Sequence, residues 1–200
     1  MANQDAAFGL RPLKMSGQGD DSTGMSSHWI DAGDASPIYQ GSPTIAAAGY
    51  IDIATAGAAP NTGAFWGCFY TDPTTLKPTF KNYYPGSITP PSSKDIEAFV
   101  YDNPNQMFEI QSDNDGASTQ ADVFSNADFV NFGGSTLNGV SNSELDDSTI
   151  AASSDAAAQL LIIGVSRDPK NSDLTAANVN WRVIVNMHLF GHGVGTVGAG

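Results

Sequence analysis

The sequence predicts an all-β protein: a β-sandwich or β-barrel body of short strands, with an extended N-terminal arm and little helix. Three observations carry this expectation. From Ile38 onward, alternating apolar segments recur between Gly and Pro punctuation. No segment holds a helical period over the length of a core helix. The first 35 residues show neither pattern, so the chain divides into an arm at 1–35, a body at 36–190 and a Gly-rich tail at 191–200.

The opening, MANQDAAFGLRPLK, does not read as a secretory signal: it has no basic start, and Gly9, Arg11 and Pro12 interrupt its apolar residues. Nor can it be a helix, because Gly9 and Pro12 break the register. An extended segment of this kind meets an ordering cost of about 1–2 kcal/mol per residue. Residues 1–14 are therefore expected to be mobile until a partner surface orders them. Phe8, Leu10, Arg11, Pro12 and Leu13 would make the contacts, Phe8 through apolar area and Arg11 through its planar guanidinium. Glycines are scattered through 17–34, and Trp29 and Ile30 mark the arm's junction with the body.

PIYQGSPTI and GYIDIATAG read as the first body strands, each bounded by Gly or Pro. Ala64 to Tyr70, AFWGCFY, is apolar on both alternating faces, which marks a strand covered on both sides, by a second sheet or by a second subunit. Trp66, Phe69 and Tyr70 are its candidate subunit-interface residues, and the two-sided pattern predicts self-association, as a trimer. Asp95 to Asp113 reads as a hairpin turning at Asn103-Pro104. TQADVF and SSDAAAQ could each form one helical turn. QLLIIGVSRD is a buried strand, and Val179, Trp181, Val183, Val185, Met187 and Leu189 alternate as the inward face of a long strand whose other face holds Arg182 and His188.

Composition narrows the function. Only 14% of residues are charged, and the net charge is -13, from 8 basic and 21 acidic residues. Nucleic-acid binding depends on Lys and Arg neutralising phosphates, so no nucleic-acid partner is expected, nor an anionic membrane surface. Cys68 is the single cysteine and cannot form an internal disulfide. It sits in an apolar strand with no base beside it, and no G-x-S-x-G or phosphate loop occurs, so no catalytic constellation and no cofactor site is expected. His188 and His192 are four apart but not on a helix, which removes the one-face geometry of a metal pair. QSDNDGASTQAD places Asp113, Asp115, Gly116 and Asp122 at calcium-loop positions. Its first position is Gln111 and no helices flank it, so it reads as a solvated loop, and no metal is expected. Tyr83, Tyr84 and Trp66 are the aromatics that could stack on a sugar ring.

Several longer motifs occur in order along nearly the whole chain: Met1 to Pro12, Gly41-Ser42-Pro43, Tyr83-Tyr84-Pro85, Asp102-Asn103-Pro104, Phe108 to Gln111, Asn126 to Asp128, Ser143 to Ala152, and Gln159 to Pro169. This set resembles a family of small structural proteins encoded near the major capsid gene of tailed bacteriophages. The resemblance implies a non-enzymatic capsid cement or decoration protein on the outer surface of the virion head, with the major capsid protein as partner and capsomers bridged by it. A chain of charge -13 fits the outside of a shell packed with DNA. The alternative is a β-sandwich glycan-binding or adhesion module.

Overall fold

The computed structural model describes residues 3–15, 24–57, 60–150 and 158–191. In chain order the strands are β1 (Arg11–Met15), β2 (Met25–Ile30), β3 (Pro43–Ala47), β4 (Tyr50–Ile53), β5 (Asn61–Thr71), β6 (Pro78–Lys81), β7 (Ile96–Tyr101), β8 (Gln106–Gln111), β9 (Asn126–Ala127), β10 (Phe129–Val130), β11 (Glu144–Leu145), β12 (Leu160–Val165) and β13 (Asn180–Val185). Helix is confined, among the described residues, to single 3-10 turns at Pro91–Ser93, Gln120–Asp122 and Asp147–Thr149. The turn within TQADVF is the second of these. Residues 153–157 of SSDAAAQ lie outside the described residues, Ala158 and Gln159 are not helical, and the tail from residue 192 lies outside as well.

The strands form two larger antiparallel sheets packed against each other, a β-sandwich arrangement. One has the order β1-β8-β13-β12-β9. The other runs β2-β7-β5-β3-β4, with β6 also paired to β5, and β10 and β11 make a small third sheet. Alternation decides the inward faces. Phe108 and Ile110 on β8, Trp181 and Val183 on β13, and Leu160 and Ile162 on β12 are fully buried, and Phe129 and Leu145 from the small sheet close over them. A second core lies under the six-stranded sheet, where Phe65, Ile96, Ala98 and Val100 meet Ile38, Ile51 and Tyr84. Each large side chain so buried contributes about 1.5–3 kcal/mol relative to exposure.

The segment 95–113 is not a hairpin. β7 pairs with β2 and β5, whereas β8 pairs with β1 and β13, so the turn at Asn103-Pro104 carries the chain from one sheet into the other. The turn chemistry itself is present, with Asn105 N donating to Asn103 Oδ1 at 2.8 Å. Local chemistry fixes the bend, and the long-range partners decide what it joins.

The arm expected at 1–35 is likewise not free: its two strands are edge strands of the two sheets. β1 adds to β8 and β2 adds to β7 in continuous register from Met25↔Tyr101 to Ile30↔Ile96. Ahead of β1, the Asn3 side chain donates to the carbonyls of Asp173 and Ala177 at 2.9 and 2.8 Å. Ala6 N donates to Gln111 Oε1 at 2.8 Å, and Leu10 N to Gly41 O at 2.8 Å. The surface that orders the segment belongs to the same chain. Leu10 is 1% exposed and sits in the core, Phe8, Pro12 and Leu13 are half-buried, and the exposed Arg11 is bonded to Glu109 at 3.0 Å and stacks over the Phe8 ring at 3.9 Å. Lattice contact through Leu10 is thereby removed, since no surface of it is left to offer.

Gly9 makes this docking possible. Its φ is +68°, and a Cβ there would lie 2.4 Å from the Gly41 carbonyl oxygen that receives Leu10. Gly49 also has positive φ, +86°, but faces open space. Gly49→Ala should therefore cost only the left-handed penalty of about 1–2 kcal/mol. Gly9→Ala should cost clearly more, measured by chemical denaturation. Equal losses for the two variants would show that the leader is not packed where the structure has it.

Candidate docking surface

Strand β5 determines what the six-stranded sheet shows to solvent. Across it Phe65 pairs with Val100, but Gly67, two residues on, pairs with Phe99, one residue back, so Trp66 is an extra residue in a bulge. The bulge shifts the parity of the strand. Phe65, Cys68 and Tyr70 point inward, while Trp66 and Phe69 are 36% and 41% exposed. Gly67 is needed beside it, because a Cβ would meet the Phe80 ring at 2.7 Å and the Lys81 carbonyl at 2.8 Å.

Of the interface residues expected from sequence, Trp66 and Phe69 are thus at the surface and Tyr70 is not. Tyr70 is 4% exposed, its burial raises the phenol pKa, and it belongs to the core. Cys68 is also enclosed, and burial pushes its thiol up to about 12, so it packs as a small hydrophobe without thiolate reactivity.

The outward row runs across four strands. Trp29 on β2 stands opposite Glu97 on β7, which stands opposite Phe69 on β5, which stands opposite Phe80 on β6. Trp29 is 52% and Phe80 53% exposed. Phe80 leans on Phe99 with ring centroids 6.2 Å apart, and Trp66 meets Tyr101 edge-on at 5.9 Å. Beside Trp29 and Phe69, a groove of about 390 Å³ is flanked by Pro90, Lys94, Asp95 and Glu97. A second, of about 240 Å³, lies where Phe8, Leu10 and Pro12 approach Trp66 and Tyr101. Sequence reasoning missed Trp29 and Phe80 as surface residues; for the face around Phe80 the pointer was Gly67, a glycine inside a strand and so a bulge signal. Tyr84 is fully buried with its hydroxyl donating to Asp34 O at 2.7 Å, so of the aromatics considered for a sugar only Trp66 and the half-buried Tyr83 reach the surface.

Two polar clusters lie elsewhere. Asp113, Asp115 and Asp146 converge at one end of the small sheet, next to Asp147, whose carboxyl is pushed up to about 7 by burial and then by Asp113, Asp122 and Asp146, with Ser112 opposing. In the second cluster, beside β2 and the end of β7, His28 Nε2 and Asp102 Oδ2 are 2.8 Å apart, and Phe190 lies between His28 and His188. His188 is not on a solvent face as its strand parity predicts. β13 ends at Val185, and the chain then lies alongside β5, with Asn61 N donating to Met187 O and Leu189 N to Asn61 O, which leaves His188 2% exposed. His192 lies outside the described residues.

No protein-family model, no curated protein and no solved structure matches this chain. Among the described residues no helix is long and apolar enough to cross a membrane.

Burial lowers the His188 pKa from 6.5, with Asp102 and the Thr62 backbone opposing. The unfolded chain therefore takes up this proton first, so the stability due to a neutral His188 is present above about pH 6.5 and lost as pH falls through the folded value. His188→Asn should flatten the stability profile below that pH relative to the unsubstituted protein, by up to about 1.4 kcal/mol per pH unit. Parallel profiles in urea titrations from pH 4 to 8 would contradict this reading of the site.

Proposed function

We propose that the chain is a non-enzymatic structural protein of a tailed-phage virion, a cement or decoration protein on the outer surface of the head. In this reading it contacts the major capsid protein, bridges capsomers and acts as a homotrimer at three-fold lattice positions. The observation that carries the reading is the uncovered aromatic row Trp29, Phe69 and Phe80 on a chain whose two cores are otherwise closed. Aromatic anchors of this kind supply most of the energy of protein interfaces, and contiguous apolar surface is seldom left exposed without a partner. The resemblance of the sequence motifs to the phage family supports the same reading. So does the charge of -13, which opposes docking on nucleic acid and leaves apolar contact as the natural mode.

A second reading rests on the groove where Trp29 and Phe69 stand beside Asp95 and Glu97. An aromatic platform edged by carboxylates can stack a sugar ring and accept its hydroxyls. Co-sedimentation with heads of the encoding phage separates the two. The intact protein should pellet with heads, and the Trp29→Ser/Phe69→Ser variant should bind at least about tenfold more weakly, the effect of losing an anchor worth about 2 kcal/mol. Its midpoint of unfolding should stay close to the original, because both side chains are at the surface. Undiminished binding by the variant overturns the proposed face. Failure to pellet at saturating heads, with retention on a glycan column, favours the second reading.

A further inference from the structure

Phe124 stands where a glycine belongs. Ser125 N donates to Asp122 O at 3.1 Å across a turn in which Val123 has φ −66° and ψ 131° and Phe124 has φ +72°. These are the angles of a type II turn, whose third residue takes positive φ and is normally Gly or Asn. The same residue opens a β-bulge. Phe124 N donates to Ile162 O at 2.9 Å and Ile162 N to Ser125 O at 3.0 Å, so two residues oppose one on β12, and an aromatic again fills the position usual for glycine. The fold gains little from it, because Phe124 is 74% exposed, and it is Val123 that packs against the core. A bulky side chain held in the left-handed region and turned to solvent is strain with no use inside the chain, and such strain gathers where a partner is met.

The sheet beside it supplies more apolar surface. Leu160, Ile162, Val183 and Phe108 point into the core, so Leu161, Ile184 and Met107 point out; they stand opposite one another across β12, β13 and β8, each half-buried. Charge on this sheet is the reverse of the chain's. Of 21 acidic residues only Glu109 is on its five strands, and it is 6% exposed and bonded to Arg11 and to the Ser166 hydroxyl. Arg11, Lys14 and Arg182 are the basic residues of the same strands. Arg182 lies across Gly164, where a Cβ would meet its Nη2 at 2.9 Å. It has no ion pair among the described residues, and its enclosed Nε donates to nothing. In the cross-strand row Arg11, Glu109, Arg182, one positive charge is therefore left without a counter-charge.

We propose that Phe124, the row Leu161, Ile184 and Met107, and Arg182 form a second docking face, whose occupant is a protein surface that is apolar at its centre and edged by carboxylates. The inference rests on the capsid reading and names what that reading requires: a protein that bridges capsomers needs two contact faces pointing apart. This face is on the sheet opposite the aromatic row, so its partner is the major capsid protein of a second capsomer. Complementary charge selects that partner chemistry. A second copy of this chain fits less well, since its aromatic row set on this face would join opposite sheets head to tail and run on as an open chain. A polyanion is opposed by the net charge of -13.

The test is co-sedimentation of the full chain with heads of the encoding phage, paired with thermal melting of the free protein. Phe124→Gly should melt at the same temperature or higher, because glycine adopts φ +72° without strain, and yet bind heads at least about tenfold more weakly. Arg182→Gln should lose less affinity than the unsubstituted chain between about 50 and 200 mM sodium chloride, because it removes a salt-screened attraction. Unchanged head binding by Phe124→Gly overturns the proposal. So does a fall in its melting temperature of more than about 5 °C, which would make Phe124 a residue of the fold, or an Arg182→Gln variant with unaltered salt dependence. If the unsubstituted chain itself fails to pellet with heads, the capsid reading falls and this face with it; if it pellets and only Phe124→Gly is undiminished, this face alone falls. Growth of the unsubstituted chain into a sedimenting polymer without heads would assign the face to a second copy and equally overturn the proposal.

Discussion

Strand β8 carries three polar side chains that are almost wholly buried, and all three are bonded to the leader. Gln106 Nε2 donates to the Leu13 carbonyl, Glu109 receives Arg11 at 3.0 Å, and Gln111 donates to the Gln4 carbonyl at 3.0 Å while accepting from Ala6 N at 2.8 Å. Their exposures are 1%, 6% and 1%. Without the leader each would lose one partner and keep another, Gln106 the Met107 carbonyl, Glu109 the Ser166 hydroxyl and Gln111 the Asn180 side chain, and each hydrogen bond so lost is worth about 0.5–1.5 kcal/mol. The leader and β8 are therefore one structural unit. β8 also lies against β13, so the unit sets the edge from which the five-stranded sheet is ordered.

This unit gives physical content to the motifs on which the family resemblance rests. Within the opening motif, Asn3 binds the 173–177 loop, Gly9 lets the chain approach Gly41, Leu10 enters the core and Arg11 pairs with Glu109. Within Phe108 to Gln111, the aromatic and Ile110 face inward and the two polar residues hold the leader. Asp128 accepts from Gln159 N at 3.0 Å, joining two further motifs across β9 and β12. The residues of these motifs mostly hold the fold closed. The aromatic row on the opposite sheet falls outside them and is exposed.

The all-β class was legible because alternation and Gly/Pro punctuation are local signals, and the inward face of β13, Trp181, Val183 and Val185, follows them directly. What failed was long-range. A turn at Asn103-Pro104 looks the same whether it joins two strands of one sheet or passes between two. Gly9 and Pro12 correctly excluded a helix but could not say that the ordering surface was the chain's own β8; the recurrent polar positions 106, 109 and 111 beside buried Phe108 and Ile110 were the available hint. Strict alternation through Ala64 to Tyr70 failed at one residue, Trp66, and that single bulge reversed which aromatics are exposed. Asp146 could not be joined to Asp113 from sequence, since nothing local relates residues 33 apart.

The central claim is that the leader is a constitutive strand of the fold and not an arm waiting for a lattice. Native-state hydrogen exchange on the free protein tests it most directly. The amides of Leu10 and of the β1 residues bonded to β8 should be protected to nearly the same degree as those of β8 itself, because the two can open only together. Exchange of residues 10–15 at the rate of an unstructured peptide, with β8 still protected through β13, would contradict the account.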